Sequence, residues 1–136
     1  MTALPKLSDF PAQTYDKLRF GDTDRQGHIN NVVFAVMYET GRVSALPLQE
    51  AGFSFVIARI TIDYRAEIFW PGTVEIGTAV KAIGNSSVTF VQALFQNGIC
   101  VSTAESVVVR VAGTTHRSTP LSEALRGILA GLQIAA

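Results

Sequence analysis

Residues 21–31 read GDTDRQGHINN, and the seven that follow, VVFAVMY, are all apolar. Two carboxylates, an imidazole and several amides therefore stand where the chain turns into its interior. A helix that starts there has first N–H groups without intrahelical acceptors, and its dipole adds partial positive charge at that end. Such donors can hold a carbonyl oxygen that gains negative charge during acyl transfer. Asp24, a few residues upstream on a turn, is placed to act as nucleophile or general base beside that carbonyl. His28 can hydrogen-bond a substrate or Asp24. A plain structural role covers part of the stretch: Asn30 is a favoured N-cap, Gly27 permits a tight turn, and an aspartate near a helix N-terminus complements the dipole. Capping explains one asparagine and one aspartate. It does not explain Asp22, Asp24, His28 and a second asparagine together.

The elements that must position these groups follow from the hydrophobic pattern. Pro5 and Pro11 mark an irregular lead, and Thr14 to Phe20 reads as a first strand. A helix is expected from Asn31 to Leu46, ended by Pro47. Its first two turns are apolar on every side, which predicts a buried, central helix. Beyond Gly52 the period changes to two. Ile57 to Tyr64 alternates, with Ile60 and Ile62 on one face, and Val74, Ile76 and Val80 share a parity after the Pro71-Gly72 turn. GNSS at 84–87 reads as a hairpin loop into a strand from Val88 to Phe95. Asn97-Gly98 is the strongest hairpin signal, because a type I′ turn needs φ above zero at both positions. A long strand, ICVSTAESVVVRV, and a short helix from Leu121 to Leu132 complete the chain.

Hairpins impose antiparallel pairing, so the expected class is α+β, with one curved sheet around one helix. The strand from Val88 to Phe95 carries apolar side chains on both faces. One face can cover the helix, and a second subunit is the simplest cover for the other. A length of 136 residues suits one domain, spanning 1–136. Eleven basic and eleven acidic residues are scattered, without the basic footprint of a nucleic-acid binder or a membrane anchor. No apolar run approaches the roughly 20 residues needed to span a bilayer. The N-terminus has no apolar signal core, and one cysteine forms no internal disulfide, so a cytoplasmic location is expected. Two histidines and one cysteine, far apart, argue against a structural zinc site.

The segment RFGDTDRQGHINNVVFAVMYETGR resembles the start of hotdog-fold acyl-CoA thioesterases of the 4-hydroxybenzoyl-CoA thioesterase superfamily, which often read D-x-D-x-x-G-H-V-N-N-x-x-Y. The match is dense over positions 19–42, and IDYRAEIFWPGTVEIGTAV resembles the family's second and third strands. The resemblance implies a hotdog fold, with a curved antiparallel sheet of about five strands wrapped around a long central helix. It also implies hydrolysis of an acyl-CoA (or an acyl carrier protein thioester) by a homodimer or homotetramer that uses no metal or redox cofactor. The family's catalytic carboxylate falls on Asp24, and the backbone N–H that polarises its thioester carbonyl falls near Asn31. Plant acyl-carrier-protein thioesterases are similar here, with D-x-N-x-H-x-N-N. On that pattern His28 is a catalytic position, Gln26 replaces the asparagine, and a further glutamate matches Glu67 in DYRAE. Position 34 is Phe where the motif usually has Tyr, so a hydroxyl from that side chain is lost.

Other residues invite plainer readings. Glu39 and Arg42 are spaced as a helix-surface pair. Trp70 reads as packing, Cys100 as a small apolar filler, and His116 lies in a polar loop. Arg59, Arg65, Lys81 and Arg110 could each meet a coenzyme A phosphate or simply face water. Two other functions use the same motif. Hotdog hydratases carry an aspartate and a histidine separated by four residues, as in D-x-N-P-x-H. Here three residues separate Asp24 from His28 and no proline lies between, which argues against a hydratase. A non-catalytic acyl-CoA binding module is the other rival, and the presence of Asp24 argues against it.

Overall fold

The computed structural model describes residues 4–46 and 49–134. Five strands form one antiparallel sheet: β1 (Ala12–Lys17), β2 (Phe53–Tyr64), β3 (Thr73–Ile83), β4 (Ser87–Gln96) and β5 (Ile99–Ala112). Their order is β1-β3-β4-β5-β2, so β1 and β2 are the edges. Helix α1 (Asn31–Ala45) lies across one face of the sheet, and α2 (Glu123–Ala130) follows the last strand. The sheet is curved around α1, which is the hotdog arrangement.

The expected elements are present, with shifted ends. β1 starts and stops earlier than the Thr14–Phe20 reading, because Phe20 belongs to a 3-10 turn over Phe20–Asp22. β2 begins at Phe53, before the alternation becomes regular. At the β4–β5 turn, Asn97 and Gly98 have φ of 52° and 78°, as a type I′ turn demands. Pro47, the expected stop of α1, lies outside the described residues. Helix α2 is shorter than the Leu121–Leu132 span because the Ser122 side chain caps it, accepting from the Leu125 N–H at 3.2 Å.

One expectation for α1 needs correcting. Phe34, Met37, Tyr38, Gly41 and Arg42 are buried against the sheet, but Val32, Val36 and Val43 are exposed. The all-round apolar pattern thus marks a helix with one covered face and one apolar face left open within the single chain. Gly41 is required by close approach: a Cβ there would stand 2.6 Å from Ile76 Cγ2 and 2.8 Å from Thr78 Oγ1.

Three clusters make the core. Phe34, Met37 and Tyr38 of α1 pack with Ile76, Leu94 and Val101. On the same face of β4, Val88 and Phe90 pack with Leu125 and Leu129 of α2. The third cluster corrects another expectation. Ala93 and Phe95 are covered by this chain's own Phe10, with Leu7 and Ile134 alongside. That part of the β4 outer face needs no second subunit, because the two ends of the chain fold back over it.

The helix-surface pair also fails to form. Arg42 is 6% exposed, and its guanidinium donates to Gln92 Oε1 at 3.3 Å rather than meeting Glu39. Gln92 in turn donates to Tyr38 O at 3.0 Å and to Thr78 Oγ1 at 2.9 Å. Arg42 points under the helix and Glu39 faces water. Burial pushes the Arg42 guanidinium pKa down, and Glu39 only partly counters it.

Candidate active site

The polar stretch folds as two linked turns ahead of α1. Leu18 is buried, and its N–H donates to Gly72 O at 2.9 Å, tying the end of β1 to the loop before β3. Asp22 then closes the 3-10 turn, accepting from the Arg19 N–H at 2.9 Å and from its guanidinium at 3.0 Å. Its backbone carbonyl accepts from the Asn30 N–H at 2.8 Å. Burial raises the Asp22 pKa, but the Arg19 N–H and guanidinium together outweigh it and hold the carboxyl below its ordinary value. Asp22 is a fastening, not a free base.

Asp24 shares neither the burial of Asp22 nor, among the described residues, an arginine partner. It is exposed, and only one carboxylate oxygen is engaged: Oδ1 accepts from the Gln26 N–H at 2.8 Å and the His28 N–H at 3.2 Å. Among the described residues, none donates to Oδ2. The Asp24 N–H donates to His28 O at 2.8 Å, and Gly27 turns the chain with φ of +83°. The carboxylate is thereby oriented by backbone while one oxygen stays available.

His28 meets Asp24 through its backbone, not its ring. The imidazole Nε2 lies 3.3 Å from Glu67 Oε2, and the ring meets Phe69 edge-on at 5.4 Å. Glu67 is brought there because the segment 66–69 runs beside the turn, with the Ile29 N–H donating to Ile68 O at 2.9 Å. Gln96 holds the other side of that segment. Its side-chain amide donates to Phe69 O at 2.8 Å and accepts from the Phe69 N–H at 3.1 Å. Gln96 was not legible as a site residue, since nothing in a lone strand glutamine signals such a clamp.

The helix starts as the capping pattern requires. Asn30 Oδ1 accepts from the Val32 N–H at 3.2 Å. Among the described residues, none accepts from the Asn31 N–H, which stays a free donor at the positive end of the helix. Position 34 carries no hydroxyl, yet one arrives from β2. Tyr64 Oη donates to Asn31 O at 3.2 Å, and its ring meets Phe34 edge-on at 4.8 Å. Tyr64 went unnoticed in the sequence. Its signal was parity, since it shares a face with Ile60 and Ile62.

These groups surround one cleft of about 550 Å³, lined by Asp24, His28, Asn31, Phe34, Tyr64 and Glu67, among others. All four expected site residues are brought together. Of the four basic residues weighed above, only Arg65 also lines it. Lys81 is paired with Glu105 at 2.6 Å. Arg110 is buried, binding Glu50 at 2.9 Å and Pro120 O at 2.7 Å, so it clips the start of β2 to the lead of α2. Arg59 is exposed on the edge strand. No helix among the described residues is long and apolar enough to cross a membrane.

Known proteins share this architecture. Residues 18–129 match the family described as the thioesterase-like superfamily. The chain is similar to a solved protein of Pseudomonas aeruginosa, with 28% identity, a TM-score of 0.88, and coverage of 97% of this chain and 98% of that one. It is similar to a predicted thioesterase from Bacillus stearothermophilus at 29% identity and TM-score 0.85, covering 92% and 98% of the two chains. A thioesterase from Thermus thermophilus, solved with coenzyme A and zinc, is 31% identical with a TM-score of 0.77, over 88% of this chain and 98% of that one. No match was found among curated proteins.

Proposed function

Since this chain belongs to the thioesterase-like superfamily, we propose that it hydrolyses an acyl-CoA thioester to the free acid and CoA, with Asp24 as the catalytic carboxylate. The observation that carries the proposal is the cleft itself. Its lining includes both Asp24, which has one carboxylate oxygen without a donor among the described residues, and Asn31, whose N–H at the start of α1 is unfilled. The thioester oxygen takes that N–H as its donor, and the positive end of the helix stabilises the charge it gains. Asp24 Oδ2 removes a proton from water as the water oxygen bonds to the carbonyl carbon. Collapse of the tetrahedral intermediate breaks the C–S bond, and the proton passes to the departing thiolate. His28, steadied by Glu67, lies at the same mouth to orient the substrate.

The same geometry also permits direct attack by Asp24 on the carbonyl, which breaks the C–S bond, expels the CoA thiolate and forms an anhydride that water then opens at the Asp24 carboxyl carbon. A single turnover in isotopically labelled water separates the two routes. Label goes straight to the product acid when Asp24 activates water, and to the Asp24 carboxylate when Asp24 attacks. Coenzyme A as the carrier is supported by the ligand of the Thermus thermophilus relative. Arg65, at the rim of the cleft, is the basic residue best placed for its phosphates. Release of free thiol from acyl-CoA by the purified protein tests the function. Comparison with the same acyl group on acyl carrier protein tests the carrier.

A homo-oligomer belongs to this proposal, and a dimer is its minimum. Its support is the unpaired edge of β2, with Val56 and Ile57 exposed, and the open apolar face of α1. A stable monomer in sedimentation at micromolar concentration would remove it.

A further inference from the structure

We infer that Tyr64 is the residue that limits acyl-chain length, so that the native substrates are short-chain acyl thioesters. The inference rests on the thioesterase reading and specifies its substrate class. Tyr64 is the last residue of β2, and the residue is 52% exposed in spite of two restraints on its side chain. The hydroxyl donates to Asn31 O, and the ring edge meets Phe34. A surface tyrosine is free to swing. This one is pinned across the first turn of α1, in the same cleft as Asp24 and the Asn31 N–H.

What lies behind it gives the position its meaning. Ile60, Ile62 and Tyr64 fall on one face of β2, since alternate residues share a face and the register break lies earlier, between Ile57 and Arg59. Ile60 and Ile62 are half-buried and pack against the core cluster that contains Phe34. Helix α1 packs chiefly on β1, β3 and β4, and β2 is the far edge of the sheet. An apolar row of half-buried isoleucines therefore runs along β2 from Tyr64, away from the strands on which α1 chiefly packs. An acyl chain bound with its carbonyl at the Asn31 N–H has that row as its apolar path. Tyr64 stands at the head of the path, and its hydroxyl bond to Asn31 holds the ring across it. A short acyl group ends at the ring, whereas a long one must break that bond and displace the ring.

The test measures kcat/KM for acetyl-, butyryl-, hexanoyl-, decanoyl- and palmitoyl-CoA with the wild type, Tyr64→Phe and Tyr64→Ala. Thermal unfolding of each protein is followed alongside. Tyr64→Leu replaces Tyr64→Ala should the latter fail to fold. The wild type is expected to favour butyryl over palmitoyl. Tyr64→Ala should raise the palmitoyl-to-butyryl ratio by about tenfold or more, as each added methylene in an apolar site is worth at least that factor. Tyr64→Phe keeps the ring and loses the tether, so its ratio should fall between the two. A ratio that stays within about twofold of wild type in every folded variant overturns the gate and leaves the hydrolase intact. A wild type that already prefers palmitoyl does the same. Absence of thiol release from the whole series overturns the thioesterase reading instead. The ratio is then taken from titration calorimetry Kd values for the same compounds, and absence of binding overturns both.

Discussion

The imidazole Nε2 of His28 lies 3.3 Å from a carboxylate oxygen of Glu67, a residue from the segment between β2 and β3. Both residues line the cleft, and if they serve the proposed reaction their effects on turnover are expected to be coupled. His28→Ala is expected to give a loss of turnover that depends on the substrate. Glu67→Gln should lower turnover through the same histidine, so the double variant should lose less than the product of the two single losses. Contacting residues couple by roughly 0.5–3 kcal/mol. Additive losses across a double-mutant cycle, or unchanged turnover in His28→Ala for all substrates, would return both residues to a structural role.

Asp24→Asn should abolish most activity without unfolding the protein. Asparagine keeps the acceptor that the Gln26 and His28 N–H groups use, so the turn survives. What disappears is the basicity of the second oxygen. Loss of a general base costs about 10²–10⁴-fold in rate. Wild-type turnover by a variant that unfolds at the wild-type temperature would disprove the assignment.

Asp22 serves as the contrast, and its effect is on stability. Its folded pKa lies below the ordinary value of 3.8, held there by the Arg19 N–H and guanidinium against the upward push of burial. A depressed carboxylate contributes stability that is present above its unfolded pKa and lost as pH falls through the folded one. Asp22→Asn should therefore be less stable than wild type at neutral pH, with the gap closing as pH falls below about 4. Chemical denaturation at several pH values measures this. A gap that is constant with pH would mean that the charge is irrelevant. Turnover per folded molecule should change far less than in Asp24→Asn.

Tyr38 Oη donates to Ser102 Oγ at 2.6 Å in the fully buried core. Tyr38→Phe leaves the Ser102 hydroxyl without its partner, which costs about 1–3 kcal/mol. Adding Ser102→Ala removes the stranded group and should recover part of that loss. A double variant less stable than Tyr38→Phe alone would contradict the pairing.

Gly41→Ala tests the packing of α1 on the sheet. The added methyl meets Ile76 Cγ2 at 2.6 Å and Gln92 Nε2 at 2.7 Å, so the helix must shift. Overpacking of this kind costs about 1–3 kcal/mol, despite the better helix propensity of alanine. Stability equal to wild type would show that the helix–sheet spacing has slack.

Much of this protein is set by local rules that a sequence carries openly. Asn30 at the N-cap, Gly27 with its positive φ, the Asn97-Gly98 hairpin turn and the alternation of β2 to β5 each depend on residues within a few positions. They appear where the pattern places them. Asp24, His28 and Asn31 are close in the chain, so a single turn sufficed to bring them together. Glu67 entered only through resemblance to a family. The contacts between distant segments were decided elsewhere. Tyr64 reaches Asn31, Gln96 clamps Phe69, Arg42 turns under the helix to Gln92, and Arg110 clips Glu50. Phe10 and Ile134 cover a strand face that seemed to call for a second subunit. Each of these depends on strand register, where a one-residue slip would send every side chain to the opposite face. Register is a property of paired strands, and only the folded sheet supplies the pairing.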